Sequence, residues 1–342
     1  MNETYLEFDA LKTTDRRDVF EATAARLGTN AQAIEKDLWV CRVIDALFTG
    51  LPRRPKPFFK GGTSLSKGYG LINRFSEDID IVLSRKGFGI KGDADPLAPG
   101  LSKKKREKVA EAATEICSQH VLGKMSNQLG ELLPQCTLSA DNTDPDRMSL
   151  RVVYPTILEQ DPYLKPWVKI ECGARGAVEP DIKRKIEPYI QGDIGKQYAL
   201  GTKGVTLVRA ERTFWEKALI LHGIYCGHRD DVGRRPGDNN LISRHYYDVA
   251  MMAESAEGRK AVADHDLLAR VREHKQALFR RGWEKLSEAV PGSVRLVPQE
   301  TICDDLRRDY DAMQGMMFGD APQFEWIIER LSELEATINN RA

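Results

Sequence analysis

The stretch Lys60-Gly61-Gly62-Thr63-Ser64-Leu65-Ser66-Lys67, followed by Arg74-Phe75-Ser76-Glu77-Asp78-Ile79-Asp80-Ile81-Val82-Leu83, constrains this chain more than any other. Phe58-Phe59-Lys60 reads as a short strand leading into it. Two glycines after a strand let the backbone approach a ligand closely. A helix beginning at Thr63 or Ser64 then turns unpaired N–H groups and its positive dipole end toward an anion. The hydroxyls of Thr63 and Ser64 can add donors, so Gly61, Gly62, Thr63, Ser64 and Lys67 are the candidate phosphate-holding residues. Taken alone, such a turn also describes a plain helix cap. The second half changes the weight. Asp78 and Asp80 stand two apart on a strand expected from Ile79 to Leu83, so they share one side while Ile79, Ile81 and Leu83 face the core. Two adjacent carboxylates repel unless a cation lies between them. A hard ion such as Mg²⁺ suits them, with phosphate oxygens completing its octahedron.

In Trp167-Val168-Lys169-Ile170-Glu171-Cys172, Val168, Ile170 and Cys172 form an apolar face. Trp167, Lys169 and Glu171 share the other, which makes Glu171 the candidate third carboxylate for metal beside Asp78 and Asp80. On a later helical segment, Phe214, Ala218, Leu221 and Tyr225 make a core stripe, and Lys217 sits beside it with a stem able to carry an ammonium to phosphate. Arg244 and Asp248 are spaced i,i+4, the spacing of a simple pair on a helix face. Surface salt bridges explain these residues as well as catalysis does. No metal spacing links His222 and His245, which read as structural.

The 342 residues suggest about two domains with their own cores. Hydrophobic residues at 41% and charged residues at 30% describe a globular protein. No apolar run can span a bilayer and no secretory signal is visible at Met1-Asn2-Glu3-Thr4, so a cytoplasmic protein without a membrane partner is expected. Six scattered cysteines without a CxxC pair read as reduced thiols. The reading along the chain is a helical N-terminal segment over 1–50, an α/β core over 51–208 and a helical C-terminal domain over 209–342. Helix is expected over 15–48, 103–133, 211–225, 243–253, 259–275, 278–287, 302–317 and 322–338. Strands are expected at Cys136–Ser139, Ser149–Tyr154 and Trp167–Cys172, with 174–206 mixed and 227–242 a polar, mobile loop. Lys+Arg and Asp+Glu are both 51, so the net charge is zero. Yet residues 51–74 hold Arg53, Arg54, Lys56, Lys60, Lys67 and Arg74 with no acid, and Lys103–Lys108 form a second basic run. Positive charge is therefore expected around the phosphate turn, with RNA affinity that falls with salt.

Lys60–Leu65 with Arg74–Asp80, Trp167–Glu171, Glu211–His222 and Arg244–Asp248 together resemble the nucleotidyltransferase AbiEii/AbiGii toxin family, including its MenT-like members. Ile34–Val40, Asp309–Met313 and Ile338-Asn339 are similar to the family's two ends. The resemblance implies an α+β fold: a DNA polymerase β-like nucleotidyltransferase core with a mixed sheet and a helical C-terminal domain. It implies a nucleoside triphosphate (NTP) as substrate, Mg²⁺ or Mn²⁺ as cofactor and a nucleotide passed to RNA, the tRNA 3′ end in MenT-like members, which blocks translation. It also implies a cognate antitoxin and a part in phage defence. Carried over, Gly61, Gly62, Thr63 and Ser64 cradle phosphate, Asp78 and Asp80 bind metal, Lys217 contacts the triphosphate and Asp248 is a further catalytic acid, with Glu171 in the third-carboxylate position. The insert 227–242 lengthens the gap between Lys217 and Asp248. Transfer of nucleotide or phosphate to a protein hydroxyl, and a non-catalytic nucleotide-binding module, are the competing readings.

Overall fold

The computed structural model describes residues 2–159, 164–232, 241–279 and 281–340. The chain divides into two compact units, Met1–Gly70 with Phe75–Val208, and Leu71–Arg74 with Arg209–Ala342.

The first unit is built on a mixed sheet. Its strands are β1 (Pro57–Lys60), β2 (Ile79–Leu83), β3 (Thr137–Ala140), β4 (Ser149–Val153), β5 (Trp167–Gly173), β6 (Asp181–Ile186) and β7 (Thr202–Val208). Among the described residues their order is β3-β4-β5-β2-β1-β7-β6. β1 runs antiparallel to β2 and parallel to β7, while β2 runs parallel to β5. Alternation does what the sequence suggests. Ile79 and Ile81 on β2, and Val168, Ile170 and Cys172 on β5, turn into one large apolar cluster. Their neighbours Asp80, Lys169 and Glu171 stay half-buried on the other face.

Helices α1 (Thr4–Asp9), α2 (Thr13–Leu27) and α3 (Ala31–Asp45) open this unit. The continuous helix expected over 15–48 breaks at Gly28, whose φ of 65° ends α2, and restarts where the Asn30 side chain caps the Ala33 N–H. α3 is not the amphipathic helix its apolar spacing suggests. Every residue from Ala33 to Asp45 is buried, its charges included. Glu35 accepts from the Ile157 N–H (2.8 Å) and from the Thr156 hydroxyl. Lys36 pairs with Glu77, Asp37 with Lys67 and Arg42 with Asp9. A helix buried all round with its charges inside is stable only because each charge has a partner. The turn helix α4 (Gly61–Ser64) continues through Leu65–Tyr69, and the long segment expected from 103 forms α5 (Lys103–His120), a wide turn over Val121–Met125 and α6 (Ser126–Leu132).

Two strands in the mixed stretch 174–206 escape the sequence reading. β6 is an edge strand rich in Lys and Arg, the composition that keeps an edge from pairing with another chain, so it lacks apolar alternation. β7 carries Gly204 at a φ of 73°, beside a register shift in its pairing with β6.

The second unit is helical: α7 (Ala210–Arg229), α8 (Ser243–Ala253), α9 (Ala256–Ala263), α10 (His265–Leu278), α11 (Glu300–Ala312) and α12 (Phe324–Asn339). The helix expected over 259–275 is split at Asp264, which ends α9 and caps α10 by accepting from the Leu267 N–H. The helix expected over 278–287 is instead two short 3-10 turns, Gly282–Glu284 and Leu286–Glu288, joined at Lys285 with a φ of 43°. Of the insert 227–242, Gly227–Arg229 close α7, and residues 233–240 lie outside the described residues. The segment Leu71–Arg74 is tied in by main-chain bonds. The Asn73 N–H donates to the Tyr247 hydroxyl (3.1 Å), and the Phe318 N–H donates to the Asn73 carbonyl (2.9 Å). Asp309 accepts from the Ser243 N–H at 2.7 Å and so caps the start of α8. Among the described residues no helix is long and apolar enough to cross a membrane. All six cysteines are free, four of them buried.

Candidate active site

In the first unit the chain leaves β1 at Lys60 and turns at Gly61, whose φ is 75°. Pairing places Lys60 opposite Asp80. A Cβ at Gly61 would lie 1.8 Å from Asp80 Oδ2, so only glycine lets the carboxylate sit against the turn. The first N–H groups of the helix that starts there have no partner within the helix. The start of a helix and an aspartate are therefore brought together.

The hydroxyls of that helix are used otherwise than expected. Thr63 is fully buried; its hydroxyl donates to the Asp78 carbonyl and is hydrogen-bonded to Ser76 Oγ (2.9 Å). Ser64 Oγ donates to the Gly61 carbonyl at 2.8 Å. Both hold the turn together rather than face a ligand, and Thr63 fixes the segment that carries Asp78. Lys67 is corrected in the same way. Its ammonium is buried, 2.7 Å from Asp37, and lies over the Tyr189 ring. Burial disfavours that charge, yet Asp37 more than offsets it and pushes Lys67 above its ordinary pKa. This explains a motif. In Ile34–Val40, Lys36 holds Glu77 and Asp37 holds Lys67, so α3 clamps both the turn and the strand entry. Lys67→Met leaves Asp37 buried without its cation. We expect a loss of about 3–5 kcal/mol of stability, measured by denaturant unfolding. The KM for nucleotide in the surviving folded fraction should be unchanged.

Asp78 immediately precedes β2 and Asp80 lies within it, both half-buried on either side of the fully buried Ile79. Glu171 is the register partner of Asp80 across the parallel pair, as its strand position suggests. Its carboxylate is ion-paired with Lys169 (2.5 Å), which also reaches Asp141 (3.3 Å), and the Glu171 side chain is 41% exposed. Among the described residues no three His, Cys, Asp or Glu side chains gather as a metal site. Among the described residues the expected three-carboxylate cluster is thus not assembled, because Lys169, two residues before Glu171 on β5, engages it. Two aspartates remain, and that donor set fits Mg²⁺, which takes one or two carboxylates plus substrate phosphates.

The expected ring of positive charge around the turn is also corrected. Arg53, Arg54 and Lys56 precede Pro57, which pairs with Leu83 at the end of β1 opposite to Lys60 and Asp80. Lys67 and Arg74 are buried in ion pairs. Of the first basic run only Lys60 stands at the turn.

In the second unit Asp248 is fully buried on α8. It does not pair with Arg244. Arg74 grips it with two bonds, Nε to Oδ1 and Nη2 to Oδ2, each 2.8 Å. Lys217 Nζ lies 2.8 Å from the same Oδ2. Burial would raise the Asp248 pKa, but Arg74 and then Lys217 hold it well below the usual carboxylate range. His245 is kept neutral, first by burial and then by Lys217 and Arg244. His222 accepts from the Arg295 N–H at 3.1 Å, the structural role expected of it. In the sequence Arg74 reads as part of the basic run around the turn, not as the partner of Asp248. Its signal, an arginine inside the most constrained block, was present.

A family model described as nucleotidyl transferase AbiEii toxin, type IV toxin–antitoxin system, matches residues 45–330. No curated protein matches the chain. Among solved structures, MenT4, a nucleotidyltransferase toxin from Mycobacterium tuberculosis H37Rv, aligns over 94% of this chain and 98% of its own at 16% identity, with a TM-score of 0.46. The family match spans most of the chain, including the turn, both aspartates, Lys217 and Asp248. The chain belongs to the AbiEii nucleotidyltransferase toxin family of type IV toxin–antitoxin systems, and it is a nucleotidyltransferase.

Proposed function

We propose that the protein transfers a nucleotide from an NTP to an RNA hydroxyl, the tRNA 3′ end in the sharpest form of the reading, and so blocks translation. The antitoxin and NTP follow from the family; Mg²⁺ or Mn²⁺, the RNA acceptor and a role in phage defence belong to this proposal. The observation that carries it is the close approach of Asp80 to Gly61, a carboxylate beside the turn that we read as the phosphate holder. Asp78 and Asp80 would hold the divalent cation, and the Gly61-Gly62 turn would hold phosphate. A bound cation of this kind neutralises phosphate charge and acidifies the attacking hydroxyl. The acceptor oxygen bonds to the α-phosphorus, the bond from that phosphorus to the bridging oxygen breaks, and pyrophosphate leaves with that electron pair. The hydroxyl proton passes to solvent. Positioning by the turn and the strand is the protein's main contribution, as in phosphoryl transfer generally.

In the second unit we read Lys217 as a phosphate-binding cation and Asp248 as the carboxylate that orients it. Thr63, Ser64 and Lys67 support the turn, and Glu171 belongs to the ion-pair network of β4 and β5. Incubation with Mg²⁺, each labelled NTP, total tRNA and cell protein tests the acceptor. Label in tRNA is the expected result. Label confined to protein bands would replace the RNA acceptor with a protein hydroxyl.

A further inference from the structure

Arg53 and Arg54, displaced from the turn, meet cations from two other segments of the first unit. Gly87 packs so closely on Pro55 that a Cβ there would lie 2.6 Å from the Pro55 Cα, so the segments carrying Arg54 and Lys86 touch. Phe88 meets the His120 ring edge-on, with centroids 5.3 Å apart. His120 ends α5 and lines one small cleft together with Arg54, Pro52 and Gln128. Lys124, one turn further on, is close enough that its charge adds to burial in lowering the His120 pKa. Arg53, Arg54, Lys86 and Lys124 thus gather from three stretches of chain.

All four cations are exposed. Among the described residues none of them makes an ion pair or a side-chain hydrogen bond, and no acidic side chain lines the cleft of Arg54 and His120. Like charges held together repel, so such a cluster does not stabilise the fold. It lies beyond Pro57, and from Pro57 to Lys60, opposite Asp80, the strand covers about 10 Å. A polymer whose reacting end lies at Asp80 can reach it. Arginine forks and lysine ammoniums without acids between them complement a phosphate backbone.

We propose that Arg53, Arg54, Lys86 and Lys124 form the docking surface for the phosphate backbone of the RNA acceptor. This rests on the reading of RNA as the acceptor. The run that opens α5 at Lys103 is not part of the surface. About 25 Å of helix separates Lys103 from His120, and Glu107 and Glu111 interrupt its charge. It therefore serves as the internal control: an equal number of exposed cations in a different place.

The test is filter binding of labelled total tRNA, without NTP, over a range of salt. Arg53→Gln/Arg54→Gln/Lys86→Gln is compared with Lys103→Gln/Lys104→Gln/Lys105→Gln and wild type. Both variants should fold, because exposed side chains without partners are replaced. The first should bind tRNA about tenfold or more weakly, with a slope of log K against log salt shallower by about 2 to 3, as expected for three lost phosphate contacts. Its affinity for NTP should stay within about twofold of wild type, and the control should keep tRNA affinity within about threefold. In transfer assays its KM for tRNA should rise with kcat at saturating tRNA retained. Wild-type tRNA binding by the first variant overturns the proposal, and so does an equal loss in both variants. Displacement of tRNA by polyglutamate at the same concentration of charge would assign the surface to an acidic protein and overturn it too. Label transfer separates the two claims. Label that enters tRNA while the first variant binds tRNA normally overturns the docking surface alone. Label confined to protein, or no tRNA binding by wild type, overturns the acceptor reading and the surface with it.

Discussion

Asp80→Asn is expected to remove nucleotidyl transfer almost entirely while the protein stays folded. The substitution keeps the shape of the side chain and removes the charge that would hold a divalent cation. Charge stabilisation by a metal contributes several kcal/mol to such a transition state, which is roughly 10³-fold in rate. Asp78→Asn should behave alike. Glu171→Gln is the informative companion, because Glu171 faces Asp80 in register yet is engaged by Lys169 and substantially exposed. If two carboxylates suffice, as the geometry of this site suggests, Glu171→Gln should cost less than about tenfold in kcat. Single-turnover transfer with saturating NTP and Mg²⁺ measures all three. A loss at Glu171 equal to that at Asp80 would restore the three-carboxylate site.

Gly61→Ala carries the second large effect. The new methyl group would meet Asp80 Oδ2 at 1.8 Å, in a backbone conformation with a φ of 75° that L-residues rarely adopt. The strain alone costs about 1–3 kcal/mol. The displaced carboxylate should cost about 10²-fold in transfer, the penalty for roughly 1 Å of misplacement. Gly70→Ala separates these two costs. Gly70 has a φ of 64°, yet a Cβ there meets nothing within 4 Å. It should lose comparable stability and keep its activity per folded molecule. Unfolding curves measured alongside transfer rates distinguish the two variants, and equal activity losses would mean that strain rather than contact with Asp80 matters.

Much of the first unit was legible because strands of period two leave a plain record. Ile79 and Ile81 against Asp80, and Val168 and Ile170 against Glu171, placed two central strands and their polar face correctly. The glycine pair marked a turn that only glycine can make. What stayed hidden depends on partners distant in sequence. Lys67 reads as a solvent-facing cation beside a phosphate turn until Asp37, thirty residues earlier, is seen to hold it in the interior. The polar residues of α3 look like its wet face until Glu77, Lys67 and Asp9 are seen to take them up. Asp248 sits at a spacing that invites Arg244, but Arg74, 174 residues away, claims it. The edge strand β6 is masked by the charges that keep it unpaired on one side. Local pattern sets the elements, while the fate of each charge is decided by the fold.

The central claim is that the Gly61 turn and its paired aspartates move a nucleotide rather than a phosphate. Parallel reactions with NTP labelled at the α- or the γ-phosphate, Mg²⁺ and total tRNA test it most directly. The account predicts that α-label enters RNA, that γ-label leaves as pyrophosphate, and that both signals vanish with Asp80→Asn. Transfer of γ-label to any acceptor, or α-label transfer that survives Asp80→Asn, would contradict it.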